Sequence, residues 1–167
     1  QPYSIASAPG APVLEFFVSM TGPAAASYVE GTRLNVAPHG LGLLTADTLD
    51  KSRCLILIGT GSGVAPFVSM ARTYAAQRRF AGIWLFHGAF TASELGYAEE
   101  LQRLQTQESS FHFEPVLEHG GSKLTRVQQI LEPGAIGGDS LVPEKHDVYL
   151  CGHPAMVNDV ENKLLSM

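Results

Sequence analysis

The feature that most constrains the fold is a regular alternation, which starts at residue 53, of continuous apolar runs and segments with helical spacing. The strands predicted from this alternation occupy 53–59, 82–89, 111–117 and 146–152. The segments with helical spacing occupy 64–77, 92–105, 123–132 and 154–167. Strands that are apolar throughout are buried on both faces, and helical crossovers join parallel strands. The alternation therefore predicts an α/β domain with a doubly wound parallel sheet, for which we expect five strands.

The connections carry their own signals. Segment 92–105 has a serine near its start and a glutamate that would lie in its first turn, and both favour a helix N-terminus there. Residues 134–145 are rich in glycine and predict a loop.

The first part of the chain has a different pattern. Residues 14–20 and 32–38 are strand-like, and turns rich in Pro and Gly separate them. So few strands cannot close a barrel or bury a core alone. We therefore divide the chain into residues 1–50, the tail end of an all-β domain that begins outside this chain, and residues 51–167, the α/β domain.

Charge and composition argue against several classes of partner. The net charge is −5, and no cluster of Lys and Arg exceeds a pair such as Arg78 and Arg79, so we expect no nucleic-acid partner. No apolar run approaches the ~20 residues that a membrane span requires, so we expect no membrane. Cys54 and Cys151 fall at opposite edges of the predicted sheet and form no disulfide framework, which favours a cytoplasmic setting.

The histidines do not predict a metal site. Their spacing does not match that of a zinc or iron site, and we expect surface residues or hydrogen-bonded core residues. The set comprises His39, His87, His112, His119, His146 and His153.

Three alternating glycines, Gly59, Gly61 and Gly63, follow the first predicted strand. Glycines at the carboxyl end of a parallel strand let a ligand lie against the backbone, and the next helix N-terminus favours a phosphate. Pro66 is compatible with that helix start. A tight turn without a ligand is the alternative. A Walker A loop is excluded because no Gly-Lys-Ser/Thr follows, and the dehydrogenase fingerprint fits poorly because residues 86–90 contain no carboxylate.

Three stretches, 1–7, 59–67 and 151–157, occur in an order and at a spacing that resemble the ferredoxin–NADP reductase family. Residues 85–89 and 94–97 strengthen the resemblance to its bacterial branch, and the resemblance covers nearly the whole chain. It implies an FAD-binding barrel joined to a nicotinamide-nucleotide domain, here truncated at the start of the barrel and at the C-terminus. It also implies hydride transfer between NAD(P)H and FAD, followed by one-electron transfer to ferredoxin or flavodoxin.

The family's flavin motif, Arg-x-Tyr-Ser, reads Gln1-Pro2-Tyr3-Ser4 in this chain. The resemblance implies that Tyr3 packs against the isoalloxazine and that Ser4 hydrogen-bonds near flavin N5. Gln1 cannot replace the charge of the arginine that pairs with the FAD pyrophosphate. The segment 22–27 also lacks the family's flavin-phosphate hydroxyl at the matching place, and Ser27 is the nearest substitute.

The resemblance assigns the remaining site to two loops. Cys151 joins Ser4 as a catalytic residue, in the sense of an unionised neighbour of the reacting carbon, since no base pairs with it as for a nucleophile. A buried strand-end thiol is the alternative for Cys151. The residues implied in nicotinamide-nucleotide binding are Gly59, Thr60, Gly61, Ser62, Gly63, Val64, Ala65, Pro66, Ala89, Phe90, Arg126, Cys151, Gly152, His153 and Pro154.

Coenzyme preference is where the chain departs most from the family. NADP-selective members place arginines after the second and third strands, where this chain has Phe90 and Glu118. Arg126, with Lys123 near it, is the remaining candidate for a 2′-phosphate. The resemblance favours NADPH, and NADH stays open. Two alternatives accompany this prediction: an NADH-dependent reductase component of an oxygenase system, and a nucleotide-binding module without turnover.

Overall fold

A computed structural model describes residues 3–18, 28–37, 39–42, 44–119 and 126–167. The strands are β1 (Cys54–Thr60), β2 (Gly82–Ala89), β3 (Phe111–Leu117) and β4 (His146–Cys151). The helices are α1 (Ala65–Tyr74), α2 (Ala98–Gln107) and α3 (Pro154–Leu165). Shorter 3₁₀ helices occupy Gly61–Val64, Ala92–Glu94 and Val127–Leu131. No helix in the described part of the chain is long and apolar enough to cross a membrane.

The four strands form one parallel sheet in the order β3-β2-β1-β4. Successive residues of β1 face opposite sides of it. Leu57 lies in a core with Phe67 of α1 and Leu101 of α2, whereas Ile58 lies in a second core with Val160 of α3. The predicted doubly wound α/β class is therefore confirmed. The chain turns back at β1, between β2 and β4, so the carboxyl ends of β1 and β4 form the switch point where such folds bind ligands.

The expected fifth strand is not present among the described residues. The described part of the connection between β3 and β4 contains the 3₁₀ helix Val127–Leu131 and an isolated antiparallel bridge between Ile136 and Asp139. Gly137 and Gly138 have φ of 59° and 97°. This left-handed backbone reverses the chain and cannot extend along a sheet edge.

Two predicted helices differ in detail. Segment 92–105 does not form one helix, because Leu95 is extended and Tyr97 has φ of 63°, so α2 starts only at Ala98. No side chain caps either helical piece, and the expected serine cap is wrong. The described part of 123–132 is the 3₁₀ helix Val127–Leu131.

The N-terminal segment, residues 3–18, contacts α1 and α2 at several points. Within it the structure shows one antiparallel bridge, Ile5 to Phe16, in place of the strand expected from residue 14, and the expected strand at 32–38 has no ladder over 32–37. The guanidinium of Arg72 donates to the Ala6 carbonyl at 2.9 Å and to the Glu15 carboxylate at 2.8 Å. It also donates to Glu100 of α2 at 2.6 Å and 2.8 Å.

Beside this ion pair, the aromatic ring of Phe17 packs against Tyr97 and Gly96. The Phe17 ring meets Tyr97 edge-on, with ring centroids 5.4 Å apart. It also covers Gly96 so closely that a Cβ there would stand 2.3 Å from Phe17 Cζ. Gly96, in the break before α2, therefore passes directly beneath the Phe17 ring, where a side chain would not fit.

Candidate functional site

A cavity of about 660 Å³ lies at the carboxyl ends of the strands. The predicted residues that line it are Tyr3, Ser4, Thr60, Gly61, Ser62, Gly63, Ala89, Phe90, Arg126, Cys151, Gly152 and His153. Gly59, Val64, Ala65, Pro66 and Pro154 do not line it and lie behind the two loops. Gln1, Pro2, Ser27 and Lys123 fall outside the described residues. Lining residues that the sequence did not predict are Phe17, Gly88, Glu94, Val116, Val127, Gln128 and Met156.

Backbone contact between two loops, one after β1 and one after β4, builds the centre of the cavity. A Cβ on Gly63 would lie 2.5 Å from both the Cys151 carbonyl oxygen and Gly152 Cα. A Cβ on Gly152, whose φ is 143°, would lie 2.2 Å from Thr60 Oγ1. These glycines therefore allow the two loops to touch, a constraint separate from any ligand.

Thr60 ties the same loops together with a hydrogen bond. Its Oγ1 accepts from the His153 N–H at 3.0 Å. The His153 ring in turn caps α3, because its Nδ1 accepts from the Ala155 N–H at 3.2 Å. The nicotinamide-side wall predicted from the sequence is therefore one hydrogen-bonded unit.

The turn Gly61–Val64 opens directly into α1. Of the three alternating glycines, Gly61 alone has a positive φ, 52°, and a Cβ there would meet open space. Neither the turn nor the first turn of α1 contains an acidic residue. The partial positive charge of the helix N-terminus is therefore available to an anion at this turn.

The buried imidazole of His87 forms a hydrogen bond with the backbone of this turn. His87 Nε2 lies 3.1 Å from the Gly61 carbonyl oxygen, and since a carbonyl only accepts, Nε2 carries the hydrogen and donates. Burial lowers the pKa of His87 from 6.5 to about 4. Its Nδ1 has no hydrogen-bond partner among the residues that the structure describes. Neutral His87 thus fixes the direction of the Gly61 peptide.

Near the carboxyl end of β4, the cavity is lined by Cys151, Tyr3 and Ser4. Burial raises the pKa of the Cys151 thiol, which favours its neutral form. Tyr3 is half-buried, and its hydroxyl lies 3.1 Å from the Tyr28 hydroxyl, a hydrogen bond that raises the pKa of Tyr3. Ser4 is exposed. A hydroxyl, an aromatic ring and an uncharged thiol therefore surround this end of the cavity.

The opposite end of the cavity, near β2 and β3, carries charge. The Glu94 carboxylate accepts from the Phe90 N–H at 3.1 Å, and Phe90 itself is 60% exposed. Arg126 Nη2 lies 3.9 Å from Glu118 Oε1, and both side chains are exposed. Two carboxylates and one guanidinium therefore line this end.

The histidine, cysteine and carboxylate side chains do not assemble into a metal site. Over the described ranges, no three of them come together in an arrangement that could hold a metal ion. Cys54 and Cys151 are both free thiols, at the amino end of β1 and at the carboxyl end of β4.

A protein-family profile described as the oxidoreductase NAD-binding domain matches residues 57–162. The chain is 26% identical over 171 residues to a flavodoxin/ferredoxin–NADP reductase of Escherichia coli K12, covering 95% of this chain and 69% of that protein. It is 30% identical over 169 residues to ferredoxin–NADP reductase B of Sorangium cellulosum So ce56, covering 93% of this chain and 68% of that protein.

The fold has a close match among solved structures. A ferredoxin NADP+ reductase from Neisseria gonorrhoeae with bound FAD and NADP superposes with a TM-score of 0.83 at 29% identity. The match covers 99% of this chain and 71% of that one.

Proposed function

The chain belongs to the ferredoxin–NADP reductase family, and on that premise we propose that its cavity is where NAD(P)H and FAD meet for hydride transfer. As a member of that family it is a flavin-dependent NAD(P)H oxidoreductase. The observation that carries the assignment of the site is the convergence of three distant stretches on one cavity. Tyr3 and Ser4, the turn after β1, and Cys151 to His153 all line it.

The residues present fit a nicotinamide nucleotide. The cavity volume of about 660 Å³ lies in the range of small-molecule sites, and it sits at the switch point of the sheet. The open space above Gly61 and the N-terminus of α1 suit a pyrophosphate. We assign the pyrophosphate to Gly61, Ser62 and Gly63, with Thr60 beside the nicotinamide.

The flavin side rests on Tyr3 and Ser4, which suit a flat, partly polar ring system. We propose that residues 1–50 are the C-terminal part of an FAD-binding barrel and that residues 51–167 bind the nicotinamide nucleotide. Close contacts between residues 3–18 and the helices α1 and α2 support a fixed relation between the two parts near the cavity.

Bound nicotinamide and flavin together supply the hydride chemistry, and the chain supplies position and environment. The neutral thiol of Cys151 leaves the reacting region without a negative charge on this wall. The hydrogen bond from the His153 N–H to Thr60 holds both loops at a fixed separation. We therefore assign Ser4 and Cys151 as the catalytic residues, in the sense that they touch the reacting rings.

The electron acceptor that we propose is ferredoxin or flavodoxin, as the names of the relatives imply for those proteins. The second candidate is an NADH-dependent reductase component of an oxygenase system, which the carboxylates Glu94 and Glu118 favour. The free thiols of Cys54 and Cys151 support a reducing, cytoplasmic setting.

The experiment is anaerobic reduction of the FAD-loaded protein. NADPH and NADH are added separately, and the visible absorbance band of the flavin is followed by stopped flow. Loss of the band with either nucleotide supports the proposed function. Retention of bound flavin without any loss of the band would leave a nucleotide-binding module, and the proposal would then be wrong.

The two cysteines provide a matched pair of variants. Cys151→Ala removes a side chain from the cavity wall and is expected to slow flavin reduction about tenfold or more, because the nicotinamide loses its packing. Cys54→Ala removes an equivalent half-buried thiol at the amino end of β1, away from the cavity, and is expected to leave the rate unchanged. Equal rates for the two variants would remove Cys151 from the site.

A further inference from the structure

The cavity has two chemically different ends, separated by the width of the sheet. Cys151 ends β4 and Glu118 follows β3, and the two intervening strands place them three strand spacings apart, about 14 Å. The phosphate-binding turn after β1 lies between these ends. A dinucleotide with its pyrophosphate at that turn and its nicotinamide beside Cys151 therefore extends its adenosine towards β2 and β3.

The charges at the adenosine end are mostly negative. Glu94 and Glu118 contribute two carboxylates, and Arg126 is the cation facing them among the described lining residues. Arg126 is already paired with Glu118. A 2′-phosphate, with a charge of about −1.5 to −2, would compete with Glu118 for Arg126 and would share this end of the cavity with Glu94.

The ribose diol of NADH, unlike a 2′-phosphate, is suited to binding beside carboxylates. Ionised carboxylates only accept hydrogen bonds, and ribose hydroxyls donate them. One oxygen of Glu94 accepts from the Phe90 N–H, which holds the carboxylate in the cavity wall, and a carboxylate has further lone pairs for an incoming donor. The exposed ring of Phe90 offers an apolar surface to a base.

We propose that the adenosine end of this cavity selects NADH over NADPH, with Glu94 and Glu118 accepting hydrogen bonds from the unphosphorylated ribose and Phe90 packing against adenine. This inference rests on the proposed function, and it opposes the preference for NADPH that the family resemblance favours. We expect a preference for NADH of about tenfold or more in kcat/KM, because the two carboxylates repel the 2′-phosphate and, among the described lining residues, its cation Arg126 is shared with Glu118.

The test has a binding readout that does not depend on hydride transfer. Titration calorimetry compares ADP-ribose with 2′-phospho-ADP-ribose, which differ by one phosphate, on the FAD-loaded protein. Tighter binding of ADP-ribose supports the inference even where no flavin is reduced, an outcome that would defeat only the proposed function. Tighter binding of the phosphorylated ligand, equal binding of both, or binding of neither overturns the inference.

Variants identify the residues responsible. The double variant Glu94→Gln, Glu118→Gln is expected to shift the ratio of the two affinities at least about tenfold towards the phosphorylated ligand. Glu99→Gln is the matched control, since it removes one exposed carboxylate of α2 that does not line the cavity. If Glu99→Gln shifts the ratio as far as the double variant does, overall charge sets the preference and the inference is wrong.

An Arg126 variant distinguishes this inference from the alternative, in which Arg126 binds the 2′-phosphate of NADPH. If Arg126 leaves Glu118 and binds a 2′-phosphate, Arg126→Ala loses affinity for 2′-phospho-ADP-ribose about tenfold or more and keeps affinity for ADP-ribose. That result would overturn the inference. We expect Arg126→Ala to change the affinities for the two ligands by the same factor.

Discussion

His87 makes folding of this chain depend on pH with a sign and a magnitude that follow from its burial. In the folded protein the pKa of His87 is lowered from 6.5 to about 4, so the unfolded chain takes up a proton first as pH falls. The stability that neutral His87 contributes is therefore complete above about pH 6.5 and is lost as pH falls towards about 4. Integration between about pH 7.5 and about pH 5 gives a loss of about 2 kcal/mol in the free energy of unfolding.

The assay is urea unfolding of the protein and of its His87→Gln variant at these two pH values. Glutamine stays neutral and keeps an N–H that can donate to the Gly61 carbonyl, so the variant is expected to lose about 2 kcal/mol less than the parent protein. His112→Gln serves as the comparison. Burial also lowers the pKa of His112, but His112 is only half-buried, and a smaller difference is expected. The same loss of stability in His87→Gln and in the parent would refute the reasoning.

Further predictions concern contacts at the loops and at the N-terminal segment. Gly152→Ala is expected to cost about 3 kcal/mol or more in unfolding free energy, since a Cβ would meet Thr60 at 2.2 Å on a backbone with φ of 143°. Gly138→Ala, at φ of 97° with open space around it, is expected to cost only about 1–2 kcal/mol, and equal costs in urea unfolding would contradict the steric argument. Arg72→Met is expected to cost about 2 kcal/mol, because it leaves Glu15 without its cation, and Arg72→Lys is expected to recover only part of this. An unchanged free energy of unfolding for Arg72→Met in the same assay would show that water fully replaces the ion pair.

Continuous apolar runs made the sheet predictable. The predicted spans 82–89 and 111–117 coincide with β2 and β3, because short runs rich in apolar and aromatic residues between turn signals are typical of strands. The break before α2 was not predicted, since the extended backbone at Leu95 and the left-handed backbone at Tyr97 leave no sign in the spacing of the apolar residues. Helical spacing alone continues through that position.

The candidate site likewise contains residues that the sequence predicted and residues that it did not. Its family motifs were visible in the sequence, and the structure brings Ser4, Thr60 and Cys151 to one cavity. Glu94 was missed because a carboxylate was sought at the end of β2 itself. The 3₁₀ turn after β2 instead folds Glu94 back onto the Phe90 N–H, so a residue several positions further along the chain takes that place.

The anchoring of the N-terminal segment on α1 and α2 has a consequence for rates. Tyr3 and Ser4 belong to the same short segment as Ala6, which Arg72 holds by its carbonyl. A shift of about 1 Å between reacting partners costs on the order of a hundredfold in rate. Under the proposed function, the surfaces of α1 and α2 that hold this segment therefore set the gap between the two rings, in addition to the pyrophosphate contact proposed for the N-terminus of α1. Substitutions on those helix surfaces are therefore expected to affect the rate of turnover as well as the stability of the fold.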